Sequence, residues 1–99
     1  MEAGKTKSTE KGHETTIEVK NKMGVHARPA AMIVRVANRY KADIYFEKDD
    51  EVVDGKSIMG LMMLAAGQGS KLRVSANGAD AKDACKALEE LFENKFEES

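Results

Sequence analysis

Three short stretches of this chain alternate apolar and polar residues with a period of two, and this constrains the fold more than any other feature. In the first, Thr15, Ile17 and Val19 fall on one side and Thr16, Glu18 and Lys20 on the other. In the second, Ile44 and Phe46 alternate with Asp43, Tyr45 and Glu47. In the third, Leu72, Val74 and Ala76 alternate with Lys71, Arg73 and Ser75. Such alternation predicts strands buried on one face. Val52 and Val53, beyond the polar turn Lys48-Asp49-Asp50-Glu51, predict a short further strand. A sheet with one apolar face must be covered by something apolar.

The cover comes from segments with a helical period. From about Ala27, residues Ala30, Ile33, Val34 and Ala37 share one face, while Arg28, Arg35 and Arg39 share the opposite one. Residues 57–66 predict a second helix with Ser57 as its N-cap, bounded by Gly67-Gln68-Gly69. Asn77-Gly78 ends the last strand, and Asp80 is a favourable N-cap for a third helix. The core stripe of that helix is Ala81, Ala84, Cys85, Leu88, Leu91 and Phe92. The order strand, helix, strand, strand, helix, strand, helix predicts an α+β fold, with four strands and the helices gathered on one face.

The length of 99 residues suits one domain. Residues 1–12 are polar and are expected to form a flexible tail, leaving 13–99 as the domain. A domain this small buries a modest fraction of its surface, so its chemistry is expected near the surface. A net charge of -1 argues against a direct nucleic-acid binder. The single cysteine forms no internal disulfide, which fits a reducing compartment. No apolar run approaches the roughly 20 residues of a membrane span, and the N-terminus lacks the apolar centre of a signal peptide. A cytoplasmic protein without membrane insertion is expected.

The chemistry is concentrated in Gly24-Val25-His26-Ala27-Arg28-Pro29-Ala30. Pro29, the only proline, falls in the first turn of the helix, where a missing N–H removes no helical hydrogen bond. His26 therefore lies at or beside the N-cap. Free N–H groups of Ala27, Arg28 and Ala30 and the positive end of the helix favour an anion there, phosphate in particular. A ring nitrogen is a nucleophile, and the phosphorus–nitrogen bond it forms is readily cleaved by a second nucleophile. Backbone donors and Arg28 suit the charge that spreads over a transferring phosphoryl group. A histidine alone at a helix start is more often an ordinary surface or capping residue; Arg28 and Pro29 in the same turn bring the chemical reading level with that one. His13 and Cys85 converge with no ligand cluster, so neither a metal nor a cofactor is expected.

The second helix, Lys56-Ser57-Ile58-Met59-Gly60-Leu61-Met62-Met63-Leu64, is apolar nearly all round. Either it is sunk in the domain or part of it is exposed to a partner. Ile58, Leu61 and Met62 fall on one side and Met59 and Met63 on another, so both readings can hold. Arg28, Arg35 and Arg39, with the exposed part of Ile58, Met59 and Met62, are expected to form one docking face around His26.

The stretch Gly24-Val25-His26-Ala27-Arg28-Pro29-Ala30 resembles the active-site motif of the HPr family, the histidine-containing phosphocarriers of the bacterial phosphotransferase system. Lys56-Ser57-Ile58-Met59-Gly60-Leu61-Met62 resembles that family's regulatory serine motif, and Ser75-Ala76-Asn77-Gly78-Ala79-Asp80 its turn into the last helix. The resemblance runs from about His13 to Phe92. It implies an open-faced β-sandwich, a four-stranded antiparallel sheet with three helices on one face. It implies that His26 receives a phosphoryl group from phosphoenolpyruvate-dependent Enzyme I and donates it to enzyme IIA domains in sugar uptake, with Arg28 assisting. It implies that Ser57 is the target of an ATP-dependent HPr kinase/phosphorylase. The resemblance further allows a catabolite-control transcription factor as a partner, and the carrier is expected to be a monomer. A catabolite-repression paralogue lacks the active histidine, which this chain keeps. Val25 departs from the leucine or isoleucine usual there. The alternative is a regulatory binding protein, its phosphorylation state read by nitrogen- or carbon-control partners without a transport role. A free-standing hydrolase is disfavoured, because no paired carboxylate or second base accompanies His26.

Overall fold

The computed structural model describes residues 12–97. The strands are β1 (Gly12–Glu18), β2 (Asp43–Lys48), β3 (Glu51–Asp54) and β4 (Lys71–Asn77). The helices are α1 (Ala27–Ala37), α2 (Ile58–Met63) and α3 (Ala81–Glu93), followed by a C-terminal 3-10 turn at Lys95–Glu97. The sheet order is β1-β4-β2-β3, and every neighbouring pair is antiparallel.

Register follows from the alternation read in the sequence. Ile17 pairs with Leu72, Ile44 with Ala76 and Phe46 with Val74, and all six side chains are buried on one face. Thr16, Lys71, Arg73 and Tyr45 point the other way and are exposed. A shift by one residue would move each apolar set into water, so burial itself fixes the pairing. The three helices close the apolar face with Ala30, Ile33, Leu61, Leu64, Ala84 and Leu88. Each fully buried leucine, isoleucine or phenylalanine contributes roughly 1.5–3 kcal/mol.

Several local expectations are corrected. Gly12 and His13 belong to β1, paired with Asn77 and Ala76, because β4 is long enough to offer them partners. The rest of the expected tail lies outside the described residues. Helix α2 spans six residues rather than 57–66. It stops because Leu64 and Ala66 turn into the core while Ala65 takes a left-handed backbone, φ 52°. Ile58 and Met62 do not share the burial of Leu61; both are exposed. Asp80 stands at the N-cap position of α3, yet its side chain makes no capping bond. Its carboxylate instead accepts from the Lys41 and Ala42 N–H groups, each at 2.9 Å. Two charge-assisted bonds to the loop before β2 outcompete one local cap.

One core residue carries no periodic signal. Phe96 follows Glu93, Asn94 and Lys95 and is fully buried. Its ring meets Phe92 edge-on at 4.8 Å between centroids, and Phe92 in turn lies 6.3 Å from Phe46.

Candidate functional site

The site is built on the turn that joins β1 to α1. Gly24 has φ 72°, and a Cβ there would run into the Ala66 carbonyl, with the Gly67 Cα at 2.9 Å. Only glycine fits both demands. The Val25 N–H donates to that same Ala66 carbonyl at 2.9 Å. The start of α1 is thus fastened to the segment leaving α2, and Val25 is itself buried.

His26 is the N-cap of α1, with an extended backbone at φ -97° and ψ -161°. Its side chain makes no capping bond and remains partly exposed, so the ring is not consumed by a structural role. The His26 carbonyl accepts from the Ala30 N–H at 2.9 Å, the first bond of the helix. That corrects the place given to Ala30: its amide, expected to be free, is spent on the helix. Pro29, in the third helical position, has no amide to offer. Ala27 and Arg28 are left with N–H groups that lack intrahelical acceptors beside the ring. Two donors at the positive end of a helix suit an anion.

Arg28 extends along α1. Its Nη1 lies 3.1 Å from the Met32 sulfur, and its Nη2 donates to the Phe96 carbonyl at 3.4 Å. The guanidinium has five donors, and these contacts engage two of its nitrogens.

Ser57 caps α2 as expected, its Oγ accepting from the Gly60 N–H at 3.0 Å. Beyond it Ile58, Met59, Met62 and Met63 are exposed, Met59 at 72% and Met63 at 66%. Met23, on the active-site turn, is 71% exposed and was not marked as a contact residue by sequence; it sits between polar neighbours with no periodicity to flag it. Arg35 and Arg39 stand elsewhere. They line a groove of about 320 Å³ between α1 and α3, with Glu90 and Leu91 opposite, and no residue of α2 borders it. Arg35 and Arg39 thus face α3 across this groove, while α1 also lies against α2.

Asn21, just beyond the alternation that ends at Lys20, carries no mark of its role in the sequence. It is the one buried polar side chain among the described residues, 1% exposed, and its Nδ2 donates to the Gly24 carbonyl at 2.7 Å. An asparagine in a polar turn gives no sign of burial in the sequence alone.

Comparison with known proteins agrees with this geometry. The family described as "PTS HPr component phosphorylation site" matches residues 13–94. The phosphocarrier protein HPr of Treponema pallidum is 51% identical over 83 residues, 84% of this chain and 94% of that protein. The HPr-like protein Crh of Halalkalibacterium halodurans is 49% identical over 75 residues, 76% of this chain and 89% of that protein. The crystal structure of an HPr from Thermoanaerobacter tengcongensis superposes with a TM-score of 0.84 at 50% identity, covering 87% of this chain and 97% of that one. With an open-faced sheet, a histidine at the head of α1 and similarity across nearly the whole domain, this chain belongs to the HPr family of phosphocarriers.

Proposed function

We propose that His26 takes a phosphoryl group from phosphoenolpyruvate-charged Enzyme I and passes it to enzyme IIA domains in sugar uptake. A ring nitrogen attacks phosphorus, the nitrogen–phosphorus bond forms, and the donor's bond to phosphorus breaks. In the second transfer an acceptor nucleophile attacks and the His26 nitrogen leaves. The Ala27 and Arg28 amides and the Arg28 guanidinium hold the phosphoryl oxygens in both steps. The protein acts in the cytoplasm as a monomer, with Ile58, Met59 and Met62 at the centre of the docking surface and Arg35 and Arg39 on its flank. Ser57 is the site of regulation by an HPr kinase/phosphorylase.

The observation that carries this reading is His26 at the N-cap of an 11-residue helix, its side chain making no capping bond and the Ala27 and Arg28 amides beside it. The test is incubation with phosphoenolpyruvate and Enzyme I, followed by intact mass and acid treatment. One acid-labile phosphoryl group is expected on the wild type and none on His26→Ala. An undiminished gain in that variant, on His13 for example, ends the assignment.

A second reading, a regulatory binding protein without a transport role, uses the same His26. Onward transfer separates the two: phosphorylated protein that donates to no enzyme IIA domain favours regulation.

A further inference from the structure

We infer that Asn21 is a positioning residue for phosphoryl transfer at His26, acting through the Gly24 carbonyl; this rests on His26 being the phosphoryl carrier. The carbonyl of Gly24 takes two donors at once. The Asn21 Nδ2 approaches at 2.7 Å and the His26 backbone N–H at 3.1 Å. The Gly24 N–H closes the loop by donating to the Asn21 carbonyl at 3.3 Å. One buried carboxamide thereby fixes the peptide that fixes the histidine.

The arrangement has two chemical consequences. The His26 N–H is turned back into the turn, so the donors presented to an anion are those of Ala27 and Arg28. The orientation of the first helical peptide planes is set by the angle at which the Gly24 carbonyl receives His26. A preorganised donor loses its advantage when its plane turns, because it must then reorganise during the reaction. Burial makes the carboxamide a rigid reference: Asn21 is 1% exposed, so its bond to Gly24 competes with no bulk water. Its Oδ1 has no hydrogen-bond partner among the described residues, so the bond to Gly24 is the side chain's attachment to them.

The experiment compares Asn21→Ala, Asn21→Asp and Asn21→Ser with wild type, using Enzyme I charged with phosphoenolpyruvate. Aspartate keeps the shape and removes the donor; serine keeps a donor with a shorter reach. Asn21→Ala and Asn21→Asp are expected to slow transfer about tenfold at saturating Enzyme I, with the half-saturating concentration unchanged. The amide shifts of Ala27 and Arg28 on phosphorylation should shrink, and Asn21→Ser should recover part of both. Ala84→Gly, a change in α3 away from the turn, controls for lost stability and should keep wild-type rates at an equal fall in melting temperature. Wild-type transfer by Asn21→Asp overturns the proposal, as does an equal slowing in Ala84→Gly. Both outcomes leave the carrier reading intact. Absence of any phosphoryl gain on wild-type His26 overturns the carrier reading and the proposal together.

Discussion

Arg28 and Phe96 are 68 residues apart in the chain, yet the Arg28 guanidinium donates to the Phe96 carbonyl at 3.4 Å. Phe96 has a left-handed backbone, φ 57°, and a fully buried ring. The end of the described chain is thus anchored by an aromatic side chain and turns its carbonyl toward the head of α1. A cation is disfavoured at a helix N-terminus, and this contact gives the guanidinium a fixed acceptor along α1.

Phe96→Ala should therefore do two things. Removing a fully buried ring costs about 3–5 kcal/mol, read from urea unfolding. Phosphoryl transfer to His26 should slow beyond what the stability loss explains, since Arg28 loses its anchor. A cost below about 1 kcal/mol would show that the C-terminal turn frays in solution and that Arg28 is held by other means.

Asp80 gives the fold an acid-sensitive clasp. Hydrogen bonds from the Lys41 and Ala42 amides, with the nearby Lys56 charge, hold its carboxyl below the ordinary value of about 3.8, partly offset by desolvation. A depressed carboxyl contributes stability above the unfolded value, and that contribution is lost as pH falls through the lower folded value. Asp80→Asn should lower the melting temperature at pH 7, and the difference from wild type should shrink on acidification below the ordinary carboxylate range. A difference that stays constant down to the acid limit would assign the loss to packing instead of charge.

Two turns hold side chains where glycine would be easier. Ala65 ends α2 at φ 52°, and the β2–β3 hairpin places Asp49 and Asp50 at φ 51° and 71°. Both positive angles in a two-residue loop match a type I′ turn, in which Asp-Gly is favoured. Ala65→Gly and Asp50→Gly should each stabilise the domain, Ala65→Gly by roughly 0.5–1 kcal/mol and Asp50→Gly by a few tenths. Melting curves of the single variants check this, and a fall in either would show that the native side chain makes a compensating contact.

Cys85 is buried in α3, and desolvation, reinforced by Glu89 and Glu14, pushes its thiol up to about 11. The thiolate is the reactive form, so alkylation at pH 8 should be slow in the folded protein and fast in denaturant. Rapid labelling of folded protein at that pH would show that α3 opens readily.

Much of this architecture was legible in the residues because burial on one face leaves a period. Ile17, Ile44, Phe46, Leu72 and Val74 are all buried where alternation put them. The α3 stripe held too, with Leu91 only partly covered. What escaped was set by partners distant in sequence. Asp80 caps nothing because Lys41 and Ala42 reach it first. Phe96 is core because Phe92 and Phe46 leave it a place, not because its neighbours are apolar. At the site, motif and helix start located His26, but the Ala30 amide was counted without the helix bond it makes. The split between α2 and the Arg35–Arg39 groove depends on how three helices pack, which no single helix encodes.

Were Ser57 the regulated residue, stability and regulation would meet on one oxygen. Its Oγ caps α2 through the Gly60 N–H at 3.0 Å, and exposed Ile58 and Met59 follow at once. Loss of the cap in Ser57→Ala should cost about 1 kcal/mol. Phosphorylation is a different perturbation. It adds about -1.5 to -2 charge and new acceptor oxygens at a helix start, where negative charge is accommodated. The fold should survive, and the effect should fall on docking. A dianion beside Ile58 and Met59 raises the desolvation cost of that apolar surface and repels an acidic partner, so transfer from Enzyme I to His26 should slow. A partner with a basic surface would be recruited by the same charge. The comparison is between wild type, Ser57→Asp and enzymatically phosphorylated protein, measuring transfer rate and melting temperature together. Unchanged transfer in the phosphorylated protein would sink the switch. A large fall in melting temperature would show that the modification acts by breaking α2, and the loss in Ser57→Ala gives the scale for that judgement.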